Sequence, residues 1–382
     1  MSSYDMHNMD DDCSPRPATA GANRLAANIR APESAGNVIE NNTCTATGIL
    51  MPVADASNVR DLAFLGTGKG GFETHVSFRC PRNGDAATDS ERGIRGFDVR
   101  IRTPHGDWDI IGTNMPVSLP EEAADESASA HEGMLGYCSM HPETTHLVTA
   151  IMSDRGIPAT YCHMHGYASS TFLLDCSDGV QRLAKFCFRT LQGIVNLTDE
   201  EAAVVGVLDP QFHANDLREA IDADERPSWM MCMQTMTLEE AETCGFDPLD
   251  TSKVWPHAMF PSRNIGIIQL TANHEPVRMD RGNLVPGISI PAGWLFACAR
   301  DDYSQPGRLI AAMDDMGHRE LVGNTARMIS RMDVGTALRH LVHCCRIDPV
   351  YGRRVAAALG MTDEDVELIE GLGEEELMAI TT

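Results

Sequence analysis

The sequence predicts an α+β protein in which an antiparallel β core is followed by a purely helical C-terminal segment. Two observations support this fold class. Up to about residue 305, short apolar or alternating runs recur between Gly, Pro and Asp residues, which is typical of antiparallel strands. After Pro306 the apolar residues recur at spacings of three and four, which is the pattern of amphipathic helices.

These changes in pattern divide the chain into three parts. Residues 1–35 are polar and contain few large apolar side chains, so burial cannot offset the entropy of ordering them, and we expect a flexible N-terminal arm. Residues 36–305 contain the strand-like runs and are predicted to form the β core. Residues 306–382 are predicted to form the helical segment.

The predicted strands have a period of two or are continuously apolar. They are ETHVSFRC (73–80), RGFDVRIRT (95–103), DWDIIGTNM (107–115), SSTFLLDC (169–176), RLAKFCFRT (182–190), SWMMCMQTM (228–236) and NIGIIQLTA (264–272). The tetrapeptide PHGD (104–107) stands between the second and third of these runs, and its turn-forming residues predict a hairpin.

Helix starts are marked by two capping boxes within the core. Thr198 is followed by Glu201, and Thr237 is followed by Glu240, so each hydroxyl can cap a helix while the carboxylate three residues later reaches back. The acidic, small residues of 120–135 predict an exposed loop or a short surface helix. Three amphipathic runs follow in the C-terminal segment: GHRELVGNTARMISRM (317–332), VGTALRHLVHCC (334–345) and PVYGRRVAAAL (349–359).

Composition excludes several classes of function. The formal net charge of -25 and a pI near 4.8, with no basic stripe, exclude nucleic-acid binding and binding to anionic membranes. The N-terminus carries acids where a signal peptide needs basic and apolar residues, and no run is long enough to cross a membrane. The 12 cysteines are scattered without metal-site spacing, so we expect reduced thiols in a cytoplasmic protein.

Five segments, in order, resemble the signature blocks of the monofunctional heme catalases. They are RGFDVRIRTPHGDWDIIGTNMPV (95–117), MSDRGIPATYCHMHGYASSTF (152–172), KFCFRTLQGIVNLTDEEA (185–202), FDPLDTSKVWPHAMFP (246–261) and NLVPGI (283–288). The stretch DPVYGRRVAAALG (348–360) is similar to the helical tail of the same family, so the resemblance covers residues 36–362. It implies an eight-stranded antiparallel β-barrel with surrounding helices and a heme cofactor.

The resemblance ends at the residues that perform catalase chemistry. In the family, the block that matches WLFACARDD (294–302) carries a tyrosine whose phenolate binds the heme iron from the proximal side, and this position is Cys298 here. The arginine that backs that tyrosine corresponds to Trp294. The resemblance therefore implies Cys298 as the metal ligand, with Trp294 beside it.

The remaining heme contacts of the family are also replaced. On the distal side, the resemblance places Glu40 at the catalytic histidine, Thr113 at the asparagine and Arg79 at the serine that supports the histidine. The three arginines that hold the heme propionates correspond to Asn37, Ser77 and Gln305.

Two kinds of chemistry fit these changes. In the first, heme is retained and Cys298 binds iron as a thiolate, a ligand whose electron donation favours cleavage of the O–O bond. Glu40 would move a proton across a bound peroxide, and Arg79 would polarise the O–O bond. The protein would then be a peroxidase or peroxygenase that acts on an organic substrate or hydroperoxide in biosynthesis.

In the second, heme is lost, because each missing arginine removes a charge-assisted interaction of about 1.5–3 kcal/mol. The empty pocket, with Glu40, Arg79, Thr113 and Cys298 in it, would serve cofactor-independent catalysis, bind a small molecule or be inert. The short loop after Pro116 indicates a wide entrance suited to an organic substrate. The short N-terminal arm argues against the interlocked tetramer of the family, so we expect a homodimer instead.

Overall fold

The structure is a computed structural model. It describes residues 43–53, 70–80, 88–104, 106–119, 131–176, 178–277, 296, 300–373 and 376. The predicted N-terminal arm, residues 1–35, lies outside these ranges.

The core is a closed antiparallel β-barrel. Its strands are β1 Thr43–Pro52, β2 Phe72–Arg79, β3 Gly96–Thr103, β4 Gly106–Ile110, β5 Gly112–Thr113, β6 Gly166–Ala168, β7 Phe172–Asp175, β8 Gln181–Thr190, β9 Ser228–Thr237 and β10 Arg263–His274. Within the described residues, the order β1-β2-β3-β5-β6-β8-β9-β10 returns to β1, while β4 pairs with β3 and β7 pairs with β8. The predicted eight-stranded barrel is confirmed.

The alternation along the strands separates an apolar interior from a polar outer face. The interior contains a cluster of aromatic rings centred on Phe97 of β3, whose centroid lies 5.1 Å from that of Phe78, 5.4 Å from that of Phe188 and 5.7 Å from that of Trp229. Gly166 lies against the Phe97 ring, so a Cβ at this position would collide with it. Because side chains alternate across a strand, the residues next to Phe78 in β2 and next to Phe97 in β3 point outward, and several of them are polar.

Ten α-helices lie among the described residues. They are α1 His131–Met140, α2 Thr145–Met152, α3 Asp199–Leu208, α4 Phe212–Asp222, α5 Leu238–Thr243, α6 Ser304–Ala311, α7 Asp315–Ile329, α8 Val334–Ile347, α9 Pro349–Ala358 and α10 Asp363–Glu370. None of them has both the length and the apolar character that a membrane crossing requires.

The two predicted capping boxes are present. The hydroxyl of Thr198 accepts a hydrogen bond from the backbone N–H of Glu201 at the start of α3, and the Glu201 side chain accepts one from the N–H of Thr198. Thr237 and Glu240 make the same reciprocal pair at the start of α5. Substituting such a cap by alanine typically costs about 1 kcal/mol, so these local signals contribute to where the helices begin.

The helices α6–α10 form a second apolar core with α2, which the sequence patterns did not reveal. Buried residues of this core include Ile151, Leu309, Leu321, Leu341 and Val355. Helix α1 begins within the segment that was predicted as a loop or short surface helix, and residues 120–130 of that segment lie outside the described ranges. The division of the chain at residue 305 stays a prediction.

Two buried histidines join α8 to α1. The Nε2–H of His340 donates to the carbonyl of Leu135 over 2.8 Å, and that of His343 donates to the carbonyl of Ser139 over 2.9 Å. Burial lowers the pKa of each imidazole to about 4. Both rings are therefore held neutral in the folded protein.

We predict that these histidines make the helical core sensitive to acid. Between the ordinary pKa of about 6.5 and the folded value near 4, the unfolded chain binds protons that the folded chain does not. Each neutral histidine therefore makes its full contribution to the free energy of unfolding above about pH 6.5. This contribution is lost as the pH falls, by roughly 3 kcal/mol per histidine at about pH 4.

Urea unfolding at several pH values measures this slope. His343→Gln should flatten it, whereas the same change at the less buried His318 on α7 should leave it unaltered. An equal slope in the wild type and in His343→Gln would contradict the prediction.

Candidate functional site

The structure describes four of the eight residues that the resemblance places around a heme. The four are Ser77, Arg79, Thr113 and Gln305. The other four, Asn37, Glu40, Trp294 and Cys298, lie outside the described residues, so their roles stay predictions.

Strand register brings Ser77, Arg79 and Thr113 to one strip of the outer barrel face. Ser77 of β2 pairs with Asp98 of β3, and Arg79 pairs with Gly96. Gly96 also pairs with Thr113 of β5, on the other side of β3. Arg79 and Thr113 therefore flank the same glycine on one face of the barrel.

An ion pair fixes the guanidinium of Arg79 on this strip. Its Nη2 atom lies 2.7 Å from Oδ2 of Asp98 and 3.0 Å from Oδ1. Asp98 is held in turn by the backbone N–H of Gly112, which donates to Oδ1 over 3.1 Å. The Asp98 side chain is 8% exposed and that of Arg79 is 41% exposed, so an almost buried carboxylate orients a guanidinium that reaches solvent.

The guanidinium lies directly over Gly96. A Cβ built on this glycine would stand 2.7 Å from Nε of Arg79, so no larger residue fits without moving the arginine. The Nε atom is buried and has no hydrogen-bond acceptor among the residues that the structure describes. Because a buried donor without a partner costs about 1–3 kcal/mol, a ligand oxygen placed here would gain that free energy.

The hydroxyl groups of Ser77 and Thr113 already have partners. The Ser77 hydroxyl lies 2.8 Å from that of Thr45, and both residues are buried. The Thr113 hydroxyl donates to the carbonyl of Met115 and accepts from its N–H, both over 3.2 Å. Both hydroxyl groups are therefore occupied by protein partners, and Arg79 is the charged member of these three residues.

Gln305 belongs to a different polar cluster, between α6 and α2. Its side-chain carbonyl accepts from the N–H of Val254 over 3.0 Å, and its amide group donates to the carbonyl of the same residue over 3.1 Å. A buried ion pair between Lys253 and Asp302, 3.2 Å long, lies beside it.

His146 in this second cluster was not identified from the sequence. It is buried on α2 beside the side chain of Gln305, and no contact of either ring nitrogen within the described ranges has the geometry of a good hydrogen bond. Burial, with the nearby charge of Lys253, lowers its pKa to about 3. It stands in the largely apolar run THLVTAIM, which carries no recognisable motif, so the sequence pattern contained no signal for it.

No cluster of three or more His, Cys, Asp or Glu side chains that could hold a metal ion occurs in the described ranges. The predicted metal ligand, Cys298, lies outside them.

Comparison with protein families agrees with the barrel and with the sequence blocks. A family model described as "Catalase" matches residues 30–298, and one described as "Catalase-related immune-responsive" matches residues 298–359. The chain belongs to the catalase family. The predicted resemblance is thereby confirmed.

Curated relatives are similar over most of the chain. A catalase of Aliivibrio fischeri is 30% identical over 376 residues, which cover 72% of this chain and 78% of the relative. A catalase of Neisseria gonorrhoeae is 30% identical over 382 residues, with 74% and 76% covered. A catalase of Methanosarcina barkeri is 36% identical over 265 residues, with 64% and 52% covered.

Solved catalase structures share the fold at low sequence identity. Catalase A from Saccharomyces cerevisiae superposes with a TM-score of 0.77 at 19% identity, over 84% of this chain and 88% of that structure. A bacterial catalase gives a TM-score of 0.75 at 20% identity, over 83% and 85%. The barrel architecture is thus that of the catalase family.

We predict that Asp98→Asn lowers the free energy of unfolding by about 1–2 kcal/mol, because it removes a charge-assisted bond from a buried carboxylate to a partly solvent-screened arginine. Urea unfolding is the measurement. Asp107→Asn on β4 is the matched control, since Asp107 is 39% exposed and 3.8 Å from Arg100. Equal losses in the two variants would contradict a special role for the Arg79–Asp98 pair.

Proposed function

We propose that this member of the catalase family is a heme oxidoreductase with altered chemistry, a peroxidase or peroxygenase that acts on an organic substrate or hydroperoxide. In this proposal Cys298 binds the iron as a thiolate in place of the family's tyrosine. Family membership supports the use of peroxide and heme in general terms. The finer assignment rests on the replaced residues and on the geometry at Arg79.

The observation that carries the proposal is the buried Nε–H of Arg79, which has no acceptor within the described ranges. Asp98 holds the other side of the guanidinium, and the missing side chain of Gly96 lets the guanidinium pack directly against β3. A peroxide oxygen is an acceptor small enough to be bound by this N–H group. The arrangement therefore offers one directed N–H donor beside Thr113, on a guanidinium whose charge is balanced by Asp98.

The described residues fit a heme in one respect and weaken its anchoring in another. The orphan donor of Arg79 suits an oxygen ligand. At the positions that correspond to propionate-binding arginines, however, Ser77 and Gln305 are neutral and already bonded to Thr45 and Val254. Retention of heme would then depend on Cys298 and on apolar packing around the porphyrin.

Each proposed residue has a separate task. When bound, a thiolate-ligated heme supplies the capacity to cleave an O–O bond. Glu40 takes a proton from one peroxide oxygen and returns it to the other, a task for a general acid and base. Arg79 donates through Nε to the peroxide and stabilises the negative charge that develops as the O–O bond lengthens. Trp294 and Asn37 complete the proposed cofactor pocket.

A second candidate function is favoured by the same neutral positions. If Ser77 and Gln305 cannot hold propionates, the protein is a heme-free member of the family that uses the empty pocket for cofactor-independent catalysis or for binding a small molecule. The N–H group of Arg79 would then donate to an oxygen atom of that small molecule. We also propose, as parts of either function, a cytoplasmic location and a homodimeric assembly.

The absorption spectrum of the protein, expressed with heme precursor supplied, separates the two functions. We expect a Soret band whose reduced carbonyl complex is shifted to the red, as in thiolate-ligated hemes, and we expect Cys298→Ser to lose that shift. Cys244→Ser, at another partly buried thiol, is the matched control and should keep it. A colourless protein that does not take up added hemin would overturn the first proposal and support the second.

We further predict that Arg79→Lys lowers peroxide-dependent oxidation of an organic donor by about 10²-fold, mainly in kcat, because the positive charge stays but the directed N–H is lost. The control is Arg102→Lys, whose side chain is 55% exposed beside Glu73. Steady-state kinetics with separate kcat and KM values make the comparison. Wild-type kcat in Arg79→Lys would remove Arg79 from the proposed mechanism.

A further inference from the structure

Two cysteines face each other on the outer surface of the barrel, away from the strip at Arg79. Cys187 of β8 is the direct cross-strand partner of Cys232 of β9. Their neighbours Phe186, Phe188 and Met231 point into the barrel core, so the two thiols share the outward face.

This placement suits a disulfide bond. Directly opposed residues of an antiparallel pair have Cα atoms about 4.5 or 5.5 Å apart, depending on their hydrogen bonding. Both values fall within the range of about 4.4–6.8 Å that disulfides span. Cys187 and Cys232 are both free thiols in this structure. Oxidation would therefore join two strands that are already neighbours, with little movement of the backbone.

The positively charged guanidinium of Arg189 lies beside one of the two sulfur atoms. Nε of Arg189 donates to Sγ of Cys232 over 3.2 Å, and Nη2 of the same guanidinium donates to Oδ1 of Asn264 over 2.6 Å. The Oδ1 atom of Asn264 also lies 3.4 Å from Sγ of Cys232. Arg189 is thus held by an exposed asparagine with its N–H directed at the thiol.

The hydrogen bond between the two thiols shifts their pKa values in opposite directions. It is the largest cause that lowers the pKa of Cys232 to about 7, with Arg189 adding to the effect. The same bond and burial raise the pKa of Cys187 well above its usual value. One thiol is therefore ionised in part near neutral pH while its neighbour keeps a proton, the combination that an attacking and a resolving cysteine require.

Other buried cysteines lack this environment. Burial raises the pKa of Cys44 and of Cys138 to about 11, and that of Cys162 and of Cys344 to about 12. The thiolate is the nucleophile, so these groups should react slowly with peroxide. The contrast with Cys232 is what makes selective oxidation possible.

From this cluster we propose that Cys187 and Cys232 form a peroxide-sensitive dithiol that closes reversibly to a disulfide. The Cys232 thiolate attacks one oxygen of hydrogen peroxide, the O–O bond breaks, and hydroxide leaves with the electron pair, so that Cys232 becomes a sulfenic acid. The Cys187 sulfur then attacks the Cys232 sulfur, and the S–O bond breaks. The displaced hydroxide takes the thiol proton and leaves as water. The first hydroxide takes up the proton that Cys232 released when it ionised. The two thiols thus lose two electrons and two protons, and the peroxide is reduced to two molecules of water.

Access to the reactive thiol is controlled by Arg189. Cys232 is fully buried, whereas Arg189 and Cys187 are partly exposed and Asn264 is exposed. Side chains at a protein surface change rotamer within about nanoseconds, so Arg189 can admit a molecule as small as peroxide without unfolding of the strand. This route is separate from the Arg79 strip and does not need a heme.

The experiment treats the reduced full-length protein with stoichiometric hydrogen peroxide and maps disulfides by mass spectrometry of peptides prepared without reductant. We expect a peptide pair joined through Cys187 and Cys232, with a mass lower by two hydrogens, that a dithiol reductant separates. In Cys187→Ser, Cys232 should stop at the sulfenic acid and be captured by a dimedone-type reagent. In Cys232→Ser, Cys187 should stay reduced.

The role of the arginine is tested by rate. Arg189→Gln should slow disulfide formation at pH 7 about fivefold, since a rise of the thiol pKa by about one unit, from about 7, reduces the ionised fraction by about that factor. Arg226→Gln, which removes an exposed guanidinium bound to Asp224, is the matched control. Circular dichroism of each variant confirms that the barrel is intact. Oxidation of other cysteines while Cys187 and Cys232 stay reduced, or equal rates in Arg189→Gln and wild type, would overturn the proposal.

Discussion

The pairing of β2 with β3 is the constraint on which both the core and the candidate site depend. Each residue of this pair has a fixed side, because side chains alternate across a strand. Phe97 enters the aromatic core while its neighbours Gly96 and Asp98 face outward toward Arg79 and Ser77. A slip of one residue would move the carboxylate into the apolar interior and the ring into the polar strip, so the register that packs the barrel also assembles the site.

Local and periodic features were predictable from the sequence, and contacts between distant residues were not. The capping boxes at Thr198 and Thr237 and the hairpin between β3 and β4 depend on neighbours in the chain, so their signals are in short segments. The eight-stranded barrel was predicted from the five sequence blocks that resemble the catalase family. Helix α2 was missed because nearly all of its residues are buried, which removes the periodic contrast that marks an amphipathic helix.

Within the site, the residues were easier to predict than their partners. Arg79 and Thr113 were found by position, yet Asp98 was not, although its outward place in RGFDVRIRT puts it opposite Ser77. Gln305 was expected beside the same cofactor, but its side chain binds the backbone of Val254. Whether a substituted residue still points into a pocket depends on which backbone groups compete for it, and the chain pattern does not contain that information.

The Arg79–Asp98 pair bears on which of the two proposed functions applies. An arginine that faced heme propionates would contribute its full charge, but here Asp98 already neutralises it, so little net positive charge is left on this strip for a dianionic porphyrin. The orphan Nε–H is unaffected by that neutralisation, since its direction is set by the same ion pair. The strip is therefore better suited to donate one directed hydrogen bond to a small oxygen ligand than to anchor a carboxylate. In the proposed heme-binding form, retention of the cofactor would therefore depend more on Cys298 than on Ser77 and Gln305.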